Sequence, residues 1–81
     1  MAQDIPFHEL KVGDSAELTK TISEADVYGF AGISMDFNPI HVDEEFAKTT
    51  RFKRRIVHGM LSASLISAVI GTILPGRNTI Y

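Results

Sequence analysis

The sequence predicts an α+β domain in which one strand precedes a group of helices and a second strand follows them. Three observations support this prediction. Apolar and polar residues alternate from residue 16 to residue 22, which is the period of a half-buried strand. Apolar residues then recur at helical spacing after Ser23 and again after His58. Residues 78–81 have the composition of a strand that is just beginning.

Two short helices are expected in the first half of the chain. Ser23 stands three residues before Asp26, as in a capping box, and Val27, Phe30 and Ala31 follow at helical spacing, which predicts a helix over Glu24–Ser34. A second helix is expected over residues 43–49. Its first turn is acidic, and a helix dipole favours negative charge there.

The segment from residue 59 to residue 74 is apolar nearly all round. A helix of this composition is expected to be buried rather than to lie on a surface. Three serines and a threonine interrupt it, which favours a core helix over a membrane span. Pro75 and Gly76 are expected to end it.

Length and composition limit the possible classes of protein. The chain has 81 residues, no cysteine and a net charge of −2, so disulfides, thiolate metal sites and a general attraction to nucleic acid or anionic lipid are not expected. A single domain of this size would be marginally stable alone, which predicts a homodimer or a larger homo-oligomer. The amino terminus lacks the basic and apolar regions of a signal peptide, so a cytoplasmic location is expected, with no membrane partner.

The most informative run is Asp36-Phe37-Asn38-Pro39-Ile40-His41. Proline fixes its own φ and disfavours the α region for the residue before it, so a bend is expected between Asp36 and His41. Such a bend can direct a carboxylate and an imidazole into one cleft, which is typical of acid/base chemistry on water. The alternative is an ordinary structural turn, because Asp and Asn commonly accept backbone hydrogen bonds in turns.

This run, together with Ala47 and the later Val57-His58-Gly59-Met60, resembles the MaoC-like dehydratases, the family of the (R)-specific enoyl-CoA hydratases. The resemblance extends from about residue 12 to residue 81. Met35 is a departure, since relatives often carry glycine before the aspartate. The resemblance implies a hot-dog fold, in which an antiparallel sheet wraps a long central helix. It also implies that residues 1–81 are the amino-terminal portion of one such domain, incomplete at Tyr81, with the remaining strands supplied by a partner or by further chain.

The function implied by the resemblance is reversible syn-hydration of trans-2-enoyl-CoA to (R)-3-hydroxyacyl-CoA. Asp36 and His41 would hold and activate one water, and the Gly59 N–H would stabilise the enolate oxygen. Registering the motif on the family pattern brings a serine partner to Ser67, with Ser64 one turn away as an alternative. Asn38 would orient Asp36 or the bend. No metal and no cofactor are expected.

Several alternatives remain open at this point. The chain could be a non-catalytic acyl-CoA-binding or assembly module, and a hot-dog thioesterase is less favoured. The basic residues Arg51, Lys53, Arg54 and Arg55 could contact coenzyme A phosphates or form a solvated loop. Nucleic-acid binding is disfavoured, because the basic patch is short and no recognition motif accompanies it. His58 is expected to be a satisfied structural histidine rather than a substrate contact.

Overall fold

A computed structural model describes residues 4–80. It contains a short 3-10 helix, Phe7–Glu9, and four α-helices: α1 (Glu24–Ser34), α2 (Pro39–Val42), α3 (Glu44–Ala47) and α4 (Gly59–Thr72). The chain divides into two compact units. One is Thr21–Ser62, and the other combines residues 4–20 with residues 63–80. The assignment of the chain to a single domain stays a prediction.

Helix α1 has the predicted bounds, and its amino terminus has the predicted capping box. The Ser23 hydroxyl accepts a hydrogen bond from the Asp26 N–H at 3.1 Å, and the Asp26 carboxylate accepts one from the Ser23 N–H at 3.0 Å. These two contacts satisfy amides that the first helical turn cannot satisfy itself. The helix buries Val27 and Ala31 and ends at Met35, whose φ of 66° is left-handed.

The bend after α1 is confined to residues 36–38. A turn of helix, α2, begins directly at Pro39, where the missing N–H of proline costs nothing. Helix α3 is shorter than the predicted 43–49, because Asp43 is its cap and residues 48 and 49 already form a turn. The Asp43 carboxylate accepts from the Phe46 N–H at 3.1 Å.

The interior of the Thr21–Ser62 unit is partly polar. Its buried side chains belong to Val27, Ala31, His41, Ala47, His58 and Leu61. Two of the six are histidines, and buried polar groups require hydrogen-bond partners. The interior of this unit therefore contains ring nitrogens whose bonding must be specific.

In the other unit, residues near the two described ends are joined by hydrogen bonds. The Ile5 N–H donates to the Pro75 carbonyl at 2.7 Å, and the Arg77 N–H donates to the Asp4 carboxylate at 2.9 Å. Ile73, just after α4, is the buried apolar side chain here, at 6% exposure. These contacts fix the chain around the carboxyl end of α4.

The strand predicted over residues 16–22 is wrong for the structure of residues 4–80, which contains no strand. A strand is defined by pairing with a neighbour, and no described segment pairs with these residues. Residues 78–80 form no strand either, and Tyr81 lies outside the described residues. The α+β class is therefore not observed in this part of the chain.

Helix α4 is present but ends at Thr72 rather than at residue 74, and the prediction that it is buried is wrong for the chain by itself. Leu61 is 9% exposed, whereas Met60 is 72% and Ile66 is 58% exposed. Leu65, Val69 and Ile70 are half-buried, and no sheet among the described residues covers Met60 and Ile66. Over residues 4–80 no helix combines the length and the apolar character needed to cross a membrane.

Candidate active site

Asp36 and His41 face each other across the bend. The Asp36 Oδ2 atom lies 3.9 Å from His41 Nε2, with the Asp36 side chain 52% exposed and the His41 side chain 10% exposed. This separation is too long for a direct hydrogen bond. One member of the pair is open to solvent and the other is anchored in the protein, an arrangement in which a shared small molecule can reach both.

Short-range hydrogen bonds hold the bend. The Asp36 N–H donates to the Ser34 hydroxyl at 3.2 Å, and the Asn38 N–H donates to Asp36 Oδ1 at 3.2 Å. The Asn38 side-chain oxygen then caps α2 by accepting from the Ile40 N–H at 3.1 Å. One carboxylate oxygen of Asp36 is thus occupied by the turn, and the other is directed at His41. Asn38 lies where an orienting role requires it, but the role itself stays a prediction.

The tautomer of His41 follows from its hydrogen bond. Its Nδ1 lies 2.8 Å from the Ile56 carbonyl oxygen, and since a carbonyl only accepts, Nδ1 carries the proton. In the neutral ring, Nε2 is then the unprotonated nitrogen, and it is the atom that faces Asp36. The Ile56 N–H donates to the Ile40 carbonyl at 3.1 Å, which anchors the backbone of the residue whose carbonyl binds the ring.

His58 completes the cluster. It is 2% exposed, its Nε2 lies 2.9 Å from the backbone carbonyl oxygen of Asp36, and its ring stacks on His41 with centroids 3.8 Å apart and planes 24° apart. The Phe30 ring packs against it edge-on at 5.0 Å. The sequence prediction of a structural histidine fits the burial. The contact with Asp36 could not be foreseen, because nothing in local spacing relates positions 36 and 58.

Asp36, His41 and His58 each offer a potential metal-ligand atom within 4.8 Å of the others. Imidazole nitrogens bind a metal through lone pairs in the plane of the ring. Two stacked rings with nearly parallel planes direct those lone pairs side by side and not toward one point. The geometry therefore suits a proton-transfer cluster better than a chelating site.

The other two predicted site residues lie on α4. Gly59 is its first residue, is exposed, and finds no acceptor for its N–H among residues 4–80. Ser67 and the alternative Ser64 lie further along the helix, in the other compact unit, and both are exposed. The roles predicted for Gly59 and Ser67 stay predictions.

An open cavity of about 170 Å³ adjoins His41 within the Thr21–Ser62 unit. The residues that line it are Ile22, Ser23, Glu24, Val27, His41, Arg55, Ile56 and Val57. Four of these eight are aliphatic, which suits an apolar ligand group, while the imidazole contributes the reactive edge.

The basic cluster is divided in its contacts. Arg55 is 20% exposed and binds three groups: the Glu24 carboxylate, the Glu44 carboxylate at 3.1 Å and the Tyr28 hydroxyl at 2.7 Å. The hydrogen bond with Glu24 raises the pKa of Arg55, assisted by those with Tyr28 and Glu44 and opposed by burial. Arg51, Lys53 and Arg54 are exposed. Arg55 therefore has a structural role, and phosphate binding, if any, would be left to Arg51, Lys53 and Arg54.

Comparison with known proteins assigns the family. The model of the MaoC-like domain matches residues 9–80, nearly the whole chain, and the protein belongs to that family. The chain is 64% identical over 75 residues to an (R)-specific enoyl-CoA hydratase of Rhodospirillum rubrum, covering 93% of this chain and 52% of that protein. It is 54% identical over 72 residues to the (R)-specific enoyl-CoA hydratase of Aeromonas caviae, covering 89% and 54%.

Solved structures agree with this assignment. An unliganded R-hydratase from Pseudomonas aeruginosa superposes with a TM-score of 0.91 at 56% identity, covering 99% of this chain and 52% of that one. The fold is accordingly that of the hot-dog hydratases over the matched part, as the motif resemblance implied. The chain spans about half the length of the curated relatives it matches.

Proposed function

We propose that the protein is an (R)-specific enoyl-CoA hydratase, which adds water reversibly and syn to trans-2-enoyl-CoA to give (R)-3-hydroxyacyl-CoA. The observation that carries the proposal is the 3.9 Å separation of Asp36 Oδ2 and His41 Nε2. A water about 2.8 Å from each atom fits this separation. The names of the relatives compared above, which are identical to this chain at more than half of the aligned positions, agree with this reaction.

The proposed chemistry uses the His41 tautomer described above. His41 Nε2 takes a proton from the water as the oxygen bonds to C3, and the electrons of the alkene move onto the thioester oxygen. The enolate is then protonated at C2 by the proton shared between His41 and Asp36, so that both groups return to their starting states. Since hydroxyl and proton come from one water on one face of the alkene, the addition is syn.

The enolate oxygen needs a hydrogen-bond donor. The Gly59 N–H is our candidate, because the first amides of α4 have no acceptor within the helix and the helix dipole favours negative charge at this end. Ser67 is proposed as a further residue of the site, and the support for it is its position when the motif residues are aligned with the family pattern. Asn38 is proposed to orient Asp36 through the bend that it caps.

The antiparallel sheet around α4 is also a proposal. The exposed apolar residues of α4, among them Met60 and Ile66, would be covered by the sheet of the whole protein. Homo-oligomer formation and a cytoplasmic location are also proposed, and both are based on the sequence alone.

The test is hydration of crotonyl-CoA, followed as loss of enoyl absorbance, in the wild type and in Asp36→Asn and His41→Ala. We expect each substitution to lower kcat by about 10²- to 10⁴-fold, the usual contribution of a general acid or base. His8→Ala and Glu45→Gln are matched controls, because both side chains are mostly exposed and lie outside the cluster. Unchanged rates in both site variants would contradict the proposal, and acyl-CoA binding without turnover in the wild type would favour the binding module.

A further inference from the structure

We infer that His58 is a positioning residue of the Asp36–His41 pair, acting on the backbone of one member and on the ring of the other. The inference rests on the proposed function of that pair. His58 lies 22 positions beyond Asp36 in the chain and belongs to no part of the bend itself.

The first action is on Asp36. His58 Nε2–H donates to the Asp36 carbonyl oxygen at 2.9 Å. Asp36 follows the left-handed Met35 and precedes the Asn38 turn, so its peptide lies at the change of chain direction. The short-range bonds of the bend orient the carboxylate relative to the bend, whereas the bond from His58 fixes the bend relative to the start of α4.

The second action is on His41. The hydrogen bond from Nδ1 to the Ile56 carbonyl fixes one edge of the ring, but a single bond leaves the ring free to tilt. Stacking against His58 at 3.8 Å restricts that tilt, and the edge of Phe30 supports His58 in turn. Together these contacts keep His41 Nε2 directed at Asp36.

His58 itself cannot be a catalytic residue in this arrangement. Its Nε2 is occupied by the Asp36 carbonyl, and its Nδ1 is buried without a hydrogen-bond partner among the described residues. A second proton on that Nδ1 would place an unsatisfied donor and a positive charge against the His41 ring. A neutral His58 with its proton on Nε2 therefore leaves the proton of the water to His41.

Three substitutions at position 58 separate the two actions. His58→Gln places an amide N–H near the position of Nε2 and loses the ring, whereas His58→Phe keeps a stacking ring and loses the donor. His58→Asn removes both actions, because its shorter amide reaches neither the Asp36 carbonyl nor the full face of His41. All three are assayed with crotonyl-CoA for kcat and KM separately.

We expect His58→Asn to lower kcat by about 10- to 100-fold with KM within about threefold of wild type, as for a small misplacement of reacting groups. Gln and Phe should each recover part of the loss. An Asn variant with wild-type kcat, a loss confined to KM, or a loss that neither Gln nor Phe reduces would overturn the inference.

A measurement on the wild type keeps the inference testable if the variants fold poorly. Ring ¹⁵N NMR should show His58 protonated on Nε2 and His41 protonated on Nδ1, and the opposite tautomer of His58, or protonation of both its nitrogens at the assay pH, would overturn the inference. The tautomers do not depend on turnover. A wild type without hydratase activity would refute the proposed function, and the NMR result would still decide on the geometry.

Discussion

Residues 34–41 and residues 51–58 both supply the candidate site, but they are fixed in different ways. The first segment is held by hydrogen bonds between residues two or three positions apart, such as those from the Asn38 N–H to Asp36 and from the Ile40 N–H to Asn38. The second segment is positioned by partners far away in the chain: Ile56 bonds to Ile40 and His41, and His58 bonds to Asp36.

This difference explains why the conformation of the first segment can be predicted from its own residues and that of the second cannot. A short-range turn is determined by the residues within it, because Asp, Asn and Pro have strong local preferences. A segment held by distant partners adopts its conformation only when those partners are in place. The geometry of the candidate site therefore depends on the second segment, although the proposed catalytic pair belongs to the first.

The largest expected effect comes from replacing His41 by amides that imitate one ring nitrogen at a time. His41→Asn places an amide N–H near the position of Nδ1, so the Ile56 bond should be kept while kcat falls by about 10²- to 10⁴-fold. Both variants lose the ring that stacks on His58, but His41→Gln also loses the Ile56 bond, so it should lose activity similarly and be about 1 kcal/mol less stable than His41→Asn. Crotonyl-CoA assays with urea unfolding measure both quantities. A Gln variant more stable than the Asn variant would contradict the assignment of the proton to Nδ1 of His41.

The second prediction breaks the long-range anchoring of residues 51–58. Arg55→Met removes the cation between the Glu24 and Glu44 carboxylates and should lower the melting temperature and the hydratase activity together. Arg55→Lys should not restore either, because an ammonium cannot reproduce the fork that binds three partners. The exposed neighbour Arg54 provides the control, and Arg54→Met should melt as the wild type does. Equal melting temperatures of the two Met variants would show that the ion pairs of Arg55 do not stabilise this segment.

The pH dependence of the Arg55 contribution has a definite sign. Because the pKa of Arg55 is raised in the folded protein, the stability that it contributes is present below its unfolded pKa and would be lost only as the pH rises through the folded value. Melting scans from neutral to mildly alkaline pH should therefore show the same difference between wild type and Arg55→Met.

The third prediction tests the short-range side of the comparison. Asn38→Ala removes the cap of α2 and should cost about 1 kcal/mol of unfolding free energy. Asn38→Asp keeps an accepting oxygen and should stay close to wild type. Urea unfolding of the three proteins measures the difference. Loss of stability in the Asp variant as large as in the Ala variant would mean that the cap is not what stabilises the bend.

The smallest expected effect is a gain. Met35 has a φ of 66° and is 82% exposed, so Met35→Gly should relieve left-handed strain and, after the added backbone entropy of glycine, stabilise the protein by about 0.5 kcal/mol. Met35→Ala keeps the Cβ that causes the strain and should change little. Thermal melting of both variants decides the matter, and equal gains would assign the effect to the removed side chain instead.

The sequence predicted the local features of the fold with good fidelity. The bounds of α1, its Ser23–Asp26 capping box and the start of α4 at Gly59 are confirmed. Met35, the departure from the family motif, has a left-handed φ, which is a conformation that glycine adopts without strain. The family and the hot-dog fold followed from the motif residues, and the comparisons confirm both.

The errors concern features that need a partner. The strand predicted over residues 16–22 is not formed among residues 4–80, and α4 leaves Met60 and Ile66 exposed there. Both predictions assumed neighbouring segments that local pattern cannot supply. The catalytic assignment of Asp36 and His41, the roles of Asn38, Gly59 and Ser67, and the single-domain description stay predictions.

The sequence by itself determined the bend between Asp36 and His41, because the preferences of Asn38 and Pro39 act within a few bonds of the chain. Tertiary structure alone decided which nitrogen of His41 faces the carboxylate. It also decided that the His58 ring stacks on the His41 ring. Those features depend on hydrogen bonds spanning 15 and 22 positions, from His41 to Ile56 and from His58 to Asp36. Contacts at such separations form only when the whole Thr21–Ser62 unit has packed.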